Sequence, residues 1–111
     1  MRYLLALFFL LTASTLLKAQ SWTNKSPIPD SARRGAVGFS LHQYGYMCLG
    51  GEGNSIGHKH FYKLLKYDPS QDIWSIADSF PGKARREGIA FTTDSFAYVG
   101  MGWDNIRTYY D

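Results

Sequence analysis

From residue 36 onward the apolar positions fall in short runs separated by turn residues. Ala36 to Leu41 is small and apolar, bounded by Arg34-Gly35 and His42-Gln43. Tyr44 to Leu49 is aromatic and apolar and ends at Gly50-Gly51. Phe61 to Tyr67 leads into Asp68-Pro69, a turn signal, and Ile73 to Ala77 carries Trp74 ahead of Phe80-Pro81-Gly82. Short runs at roughly ten-residue spacing with turn residues between them predict an antiparallel meander of four strands. No stretch after residue 20 shows helical periodicity.

The first residues follow another pattern. Arg2 supplies a positive start, Leu4 to Leu11 is an unbroken apolar run, and Leu17-Lys18-Ala19 places a small residue where cleavage can occur. The run suits the apolar region of an export signal and falls short of the ~20 residues that span a bilayer. The expectation is a signal helix over 1–19, no stable membrane span, and a mature chain that is secreted, periplasmic or at the cell surface. No cysteine lies near the cut, so a lipid anchor is not expected.

Shifted by 52 positions, the chain matches itself without a gap. Trp22 falls on Trp74, Pro29 on Pro81, Arg33 on Arg85 and Arg34 on Arg86. Val37 falls on Ile89, Phe39 on Phe91, Tyr46 on Tyr98 and Gly50 on Gly102. Lys66-Tyr67-Asp68-Pro69 is read as recurring in part at Tyr109-Tyr110-Asp111. The second copy carries Trp103 where the first has the second glycine of Gly50-Gly51.

Arg-x-Gly-Ala-Val-Gly-Phe, then Tyr-Met-Cys-Leu-Gly-Gly, then Tyr-Asp-Pro, then Asp-x-Trp resembles the Kelch repeat, whose period is about 50 residues. The copies are most similar to secreted bacterial Kelch proteins of the galactose-oxidase-like type, over residues 22–111. The resemblance implies an all-β fold: antiparallel four-stranded blades of a Kelch β-propeller, incomplete at under two blades and preceded by the signal helix. On this reading 1–19 is the signal peptide and 20–111 a partial propeller. An outer strand is expected at 21–25, a blade at 33–78 and a partial blade at 85–111. Trp22, Gly50, Gly51, Tyr67, Asp68, Pro69, Trp74 and Gly102 are expected to be structural: glycine for positive φ or a bulge, aromatics to fill the gap between blades, Asp-Pro for the turn. A propeller takes ~4–8 blades, so the chain is expected to be a fragment or truncated product whose missing blades are its nearest partners.

Composition agrees with a folded β domain and narrows the chemistry. The chain is 111 residues, 45% hydrophobic and 16% aromatic, which excludes disorder. Its single cysteine excludes an intrachain disulfide framework, and Cys48 reads as a small buried hydrophobe. The formal charge of +3 falls to +1 when Arg2 and Lys18 leave with the signal, so nucleic acid is not an expected partner.

Meander topology puts loops 30–35, 51–60, 82–87 and 103–106 on one end of the strands. Those loops hold Arg33, Arg34, Lys59, Lys83, Arg85 and Arg86 against Asp30, Glu52, Glu87 and Asp104. Loops on a rigid scaffold collect binding residues. The ligand-contact candidates are therefore Arg33, Arg34, Arg85, Arg86, Trp103 and Asp104. The competing reading has Arg33 and Arg85 pairing with acids to cap the fold. His58-x-His60 lacks a third ligand, so no metal is expected, and no motif carries the copper chemistry of galactose oxidase. No cofactor and no catalytic residue is assigned. The leading expectation is an exported binding module for protein or carbohydrate. The alternatives are a carbohydrate-active enzyme on the same scaffold, either a sugar oxidase or a sialic-acid epimerase, and a nonfunctional remnant.

Overall fold

The computed structural model describes residues 21–53 and 59–111. The expected signal segment 1–19 lies outside them. Among the described residues the chain is all-β, in chain order β1 (Val37–Leu41), β2 (Tyr44–Cys48), β3 (Gly51–Glu52), β4 (Lys59–His60), β5 (Lys63–Asp68), β6 (Ile73–Ser79), β7 (Ile89–Thr92), β8 (Ala97–Gly100), β9 (Gly102–Trp103) and β10 (Thr108–Tyr109). Strands β1-β2-β5-β6 form one antiparallel sheet, and β3–β4, β7–β8 and β9–β10 are antiparallel pairs.

The 52-residue period is a spatial one. Phe39 pairs with Tyr46 and their rings stack 5.2 Å apart; Phe91 pairs with Tyr98 and theirs stack 4.9 Å apart. Arg34 bridges to Gly51 as Arg86 bridges to Trp103. Two similar units therefore follow one another: β1 to β6, then β7 to β10.

Alternation along the strands decides how the units meet. Val37, Phe39, Tyr46 and Cys48 lie on one face of the first sheet. That face packs against Ala90 and Val99 of the β7–β8 hairpin, and Leu49, Leu64 and Phe80 complete the cluster. Val37, Cys48 and Leu49 are buried within it. Two backbone bonds also cross between units, Glu87 N to Gly35 O at 2.8 Å and Gly50 N to Arg85 O at 2.8 Å. Burial pushes the Cys48 thiol up to about 11 against the opposing pull of Arg33.

At the far end, Asp68 accepts bonds from the Ser70 amide (2.8 Å) and hydroxyl (2.6 Å), closing the turn between β5 and β6. Tyr67 donates to Asp72 Oδ1 at 2.5 Å and its ring lies 5.0 Å from that of Trp74. Trp74 Nε1 donates to Ser26 O (2.9 Å), and the Ser26 amide donates to Asp72 Oδ1 (3.0 Å). The aromatic pair thus holds down the chain leading into β1.

Two expectations change. Residues 21–25 make no strand and Trp22 is fully exposed, because no strand among the described residues offers them a ladder. The match of Tyr109-Tyr110-Asp111 to Lys66-Tyr67-Asp68 also shifts. Tyr109 pairs with Gly102, as the Phe61 amide bonds to Gly50 O, so Tyr109 is the counterpart of Phe61. The cause is loop length: the paired residues Gly51 and His60 lie nine positions apart, while Trp103 and Thr108 lie five apart.

Candidate functional site

The loops before β1 and β7 and the hairpins β3–β4 and β9–β10 meet at one end of the sheets. Each unit builds the same device there. The chain breaks out of β2 at Leu49 (φ 60) and out of β8 at Met101 (φ 59), both left-handed, followed by Gly50 (φ 93) and Gly102 (φ 108). At Gly102 a side chain is barred on two counts: the positive φ, and a Cβ that would stand 2.6 Å from Arg86 O.

The carbonyls of Leu49 and Met101 accept bonds from Arg33 Nη1 and Arg85 Nη1, each at 3.3 Å. Both guanidiniums lie 3.8 Å from an aromatic centroid, Arg33 over Phe61 and Arg85 over Tyr109. Arg33 Nη2 is 3.0 Å from Asp30 Oδ2; Arg85 Nη1 is 2.5 Å from Asp111 Oδ1, and its Nε donates to Lys83 O at 3.0 Å. Both arginine side chains are only 1% exposed. The Ser31 amide and Arg33 hold Asp30 below the ordinary carboxylate range, and Arg85 does the same for Asp111. Arg33 and Arg85 are thus enclosed within the fold, with their charges met by acids, carbonyls and ring faces.

The second arginine of each pair is treated differently. Arg86 is buried beneath Trp103, 4.5 Å from its ring, with Nη2 donating to Asn105 Oδ1 at 2.9 Å and Nε 3.6 Å from Glu87. Arg34 has Gly51 where Arg86 has Trp103, so among the described residues no ring covers it, and it is exposed. Among the described residues, no carboxylate lies within ion-pair distance of Arg34 or Lys83, whereas Arg33, Lys59, Arg85 and Arg86 each have one. A groove of about 260 Å³ opens beside Arg34, with Glu52 and Gly53 in its wall.

Asp104 is engaged locally. Its Oδ1 accepts the amides of Ile106 (3.0 Å) and Arg107 (2.9 Å) and its Oδ2 the Tyr109 hydroxyl (2.6 Å). Those bonds, the tyrosine's first, hold its carboxyl well below the usual range. The Gly-rich stretch after Gly53 and His58 fall outside the described residues, and among those described no three metal-ligating side chains gather.

The structure thus gathers all six ligand-contact candidates at one end, but leaves only Arg34 both charged and open. Phe61 and Tyr109, the shelves under the buried arginines, were not singled out. Their pairing is hidden from a fixed 52-residue shift by the shorter second loop.

No protein-family model matches the chain, and no curated protein matches it. Over 79% of its length the chain is similar to the solved structure of YjhT, at 25% sequence identity and a TM-score of 0.67. It spans about a quarter of that chain, 26%.

Proposed function

We propose that the chain is part of an exported Kelch β-propeller that binds a protein or carbohydrate ligand at the loop end of its blades. The observation that carries this reading is the doubled device: at a constant 52-residue interval, two meanders repeat the same arginine-to-carbonyl bond at the same 3.3 Å. A repeated antiparallel β unit stacked face to face on its neighbour is the building plan of a propeller. The similarity to a chain roughly three times as long, 79% of this chain matching 26% of that one, supports further repeats beyond these two. The apolar run near the start supports export.

Within that frame the groove at Arg34 is the contact point, because its guanidinium has no ion-pair partner among the described residues while its neighbours are paired. Arg34 and Glu52 offer a donor fork and an acceptor side by side, which suits hydroxyl-rich or carboxylate-bearing ligands. The purified chain screened against glycans and secreted proteins should give stable binding that falls about tenfold or more in Arg34→Ala. Turnover without stable binding would favour the enzyme reading, and binding indifferent to Arg34→Ala would overturn this site.

A further inference from the structure

Two cross-strand pairs with the same backbone bonding differ by one side chain. Arg34 and Gly51 exchange both backbone bonds, at 2.9 and 3.0 Å, and Arg86 and Trp103 exchange theirs at 3.0 and 2.9 Å. Partners in such a pair carry their side chains beside one another on one face. In the second unit the Trp103 ring therefore reaches the guanidinium of Arg86, 4.5 Å away, and Arg86 is buried. In the first unit Gly51 places no side chain beside Arg34, which stays exposed. Trp103 belongs to the same unit as Arg86. The group missing at Arg34 is thus one that a unit supplies from within itself, whatever repeat lies next to it.

Backbone conformation does not demand this glycine. Gly50 and Gly53 have φ of 93 and 100, whereas Gly51 has no positive φ. A Cβ at Gly51 would stand 3.2 Å from both His60 Cδ2 and Lys59 O, so a side chain there needs only a small shift of its neighbours. The adjoining loop sequence offers no substitute ring: Asn54 to His58 include no Trp, Tyr or Phe. A groove of about 260 Å³ has Arg34, Gly51 and Glu52 in its wall. Glu52 is held there only by Lys59, at 3.8 Å.

We infer that this slot takes the ring of a tryptophan from a protein partner, which lies on Arg34 as Trp103 lies on Arg86. A guanidinium is attracted to an aromatic face. A saturated sugar ring has no such face, so of the two ligand classes proposed above the slot favours protein. Glu52 supplies the acceptor that an indole N–H needs once it leaves water. Tryptophan is also among the side chains that carry most of the binding energy at interfaces. The inference rests on the reading of Arg34 as the contact point and names the group that meets it.

The test is a titration of the purified chain with N-acetyl-L-tryptophanamide, followed through the backbone amide signals in NMR. The Arg34, Gly51 and Glu52 amides should shift together and saturate. N-acetyl-L-leucinamide, apolar but without a π face, should bind about fivefold or more weakly, and so should the tryptophan probe to Arg34→Gln. Gly51→Trp, which gives the first unit the ring of the second, should abolish the shifts. Where it fails to fold, Gly51→Leu fills the same slot with a smaller side chain. Wild-type shifts that do not saturate, or equal affinity for the two probes, overturn the inference. So does probe binding that survives in a folded Gly51 variant. The two readings fail separately. A ligand that needs Arg34 but is not displaced by the tryptophan probe sinks the ring and leaves the contact point. Saturable probe binding at Arg34, in a chain to which no protein or glycan binds, sinks the proposed function and keeps the slot.

Discussion

The guanidinium of Arg85 lies 3.8 Å over the ring of Tyr109, the same distance at which Arg33 lies over Phe61 one unit earlier. Each arginine also holds the carbonyl of a left-handed residue at the break in its meander. A side chain that seals a strand end in this way is part of the fold. Arg85→Ala should cost about 2–3 kcal/mol, through a lost charge-assisted bond and a lost ring contact. Arg33→Ala should behave alike, while Arg34→Ala should stay within about 0.5 kcal/mol of wild type. Chemical denaturation of the three variants checks the ranking; equal effects would contradict it.

Gly102 should tolerate no side chain. Gly102→Ala meets a backbone oxygen at 2.6 Å in a left-handed conformation and should cost about 3 kcal/mol or prevent folding. Gly45→Ala, with its nearest contact at 3.7 Å and no positive φ, should be nearly neutral. Thermal melts of the two variants separate the cases.

Stability should decline at both ends of the pH scale. Asp68, Asp72 and Asp104 are held below the ordinary carboxylate range by hydrogen bonds they accept, from Ser70, Tyr67 and Tyr109 respectively before any other cause. A depressed folded value means that their contribution is complete above the unfolded value of about 4 and is lost as pH falls below it. Tyr67 moves the other way: its bond to Asp72 pushes it up to about 12. Its contribution is complete below about 10 and is lost as pH rises through 12. Melting temperature against pH should show a shallower acid slope in Asp104→Asn and a weaker alkaline decline in Tyr67→Phe. Unchanged slopes would contradict the assignment.

Cys48 should resist thiol reagents in the folded chain. It is 2% exposed and its thiol is pushed up to about 11, so little thiolate exists at neutral pH. Modification should accelerate only as denaturant unfolds the protein; fast labelling of the native chain would contradict its place between the units.

Much of this was legible in the residues. The short apolar runs around Phe39 and Tyr46 and their echo at Phe91 and Tyr98 identified the strands, and Gly50 and Gly102 identified the positive-φ corners. Leu49 and Met101 could not be read the same way, because tertiary packing forces a left-handed conformation on residues with no local preference for it. Nor could the fates of the paired arginines. Arg34 and Arg86 occupy the same position in the repeat, yet Gly51 leaves one open and Trp103 covers the other. The resulting difference in exposure depends on a cross-strand neighbour 17 residues further along the chain. Asp104 looked available for a ligand because its engagement with the Ile106 and Arg107 amides is a property of loop length.

The central claim is that two units related by a 52-residue period stack face to face. Amide hydrogen exchange at Gly50 and Glu87 tests it most directly, because their bonds to Arg85 O and Gly35 O are made across the two units. The account predicts that both amides are protected as strongly as those of the β1–β2 ladder. Exchange of both at the rates of exposed loops, with the β1–β2 ladder still protected, would contradict it.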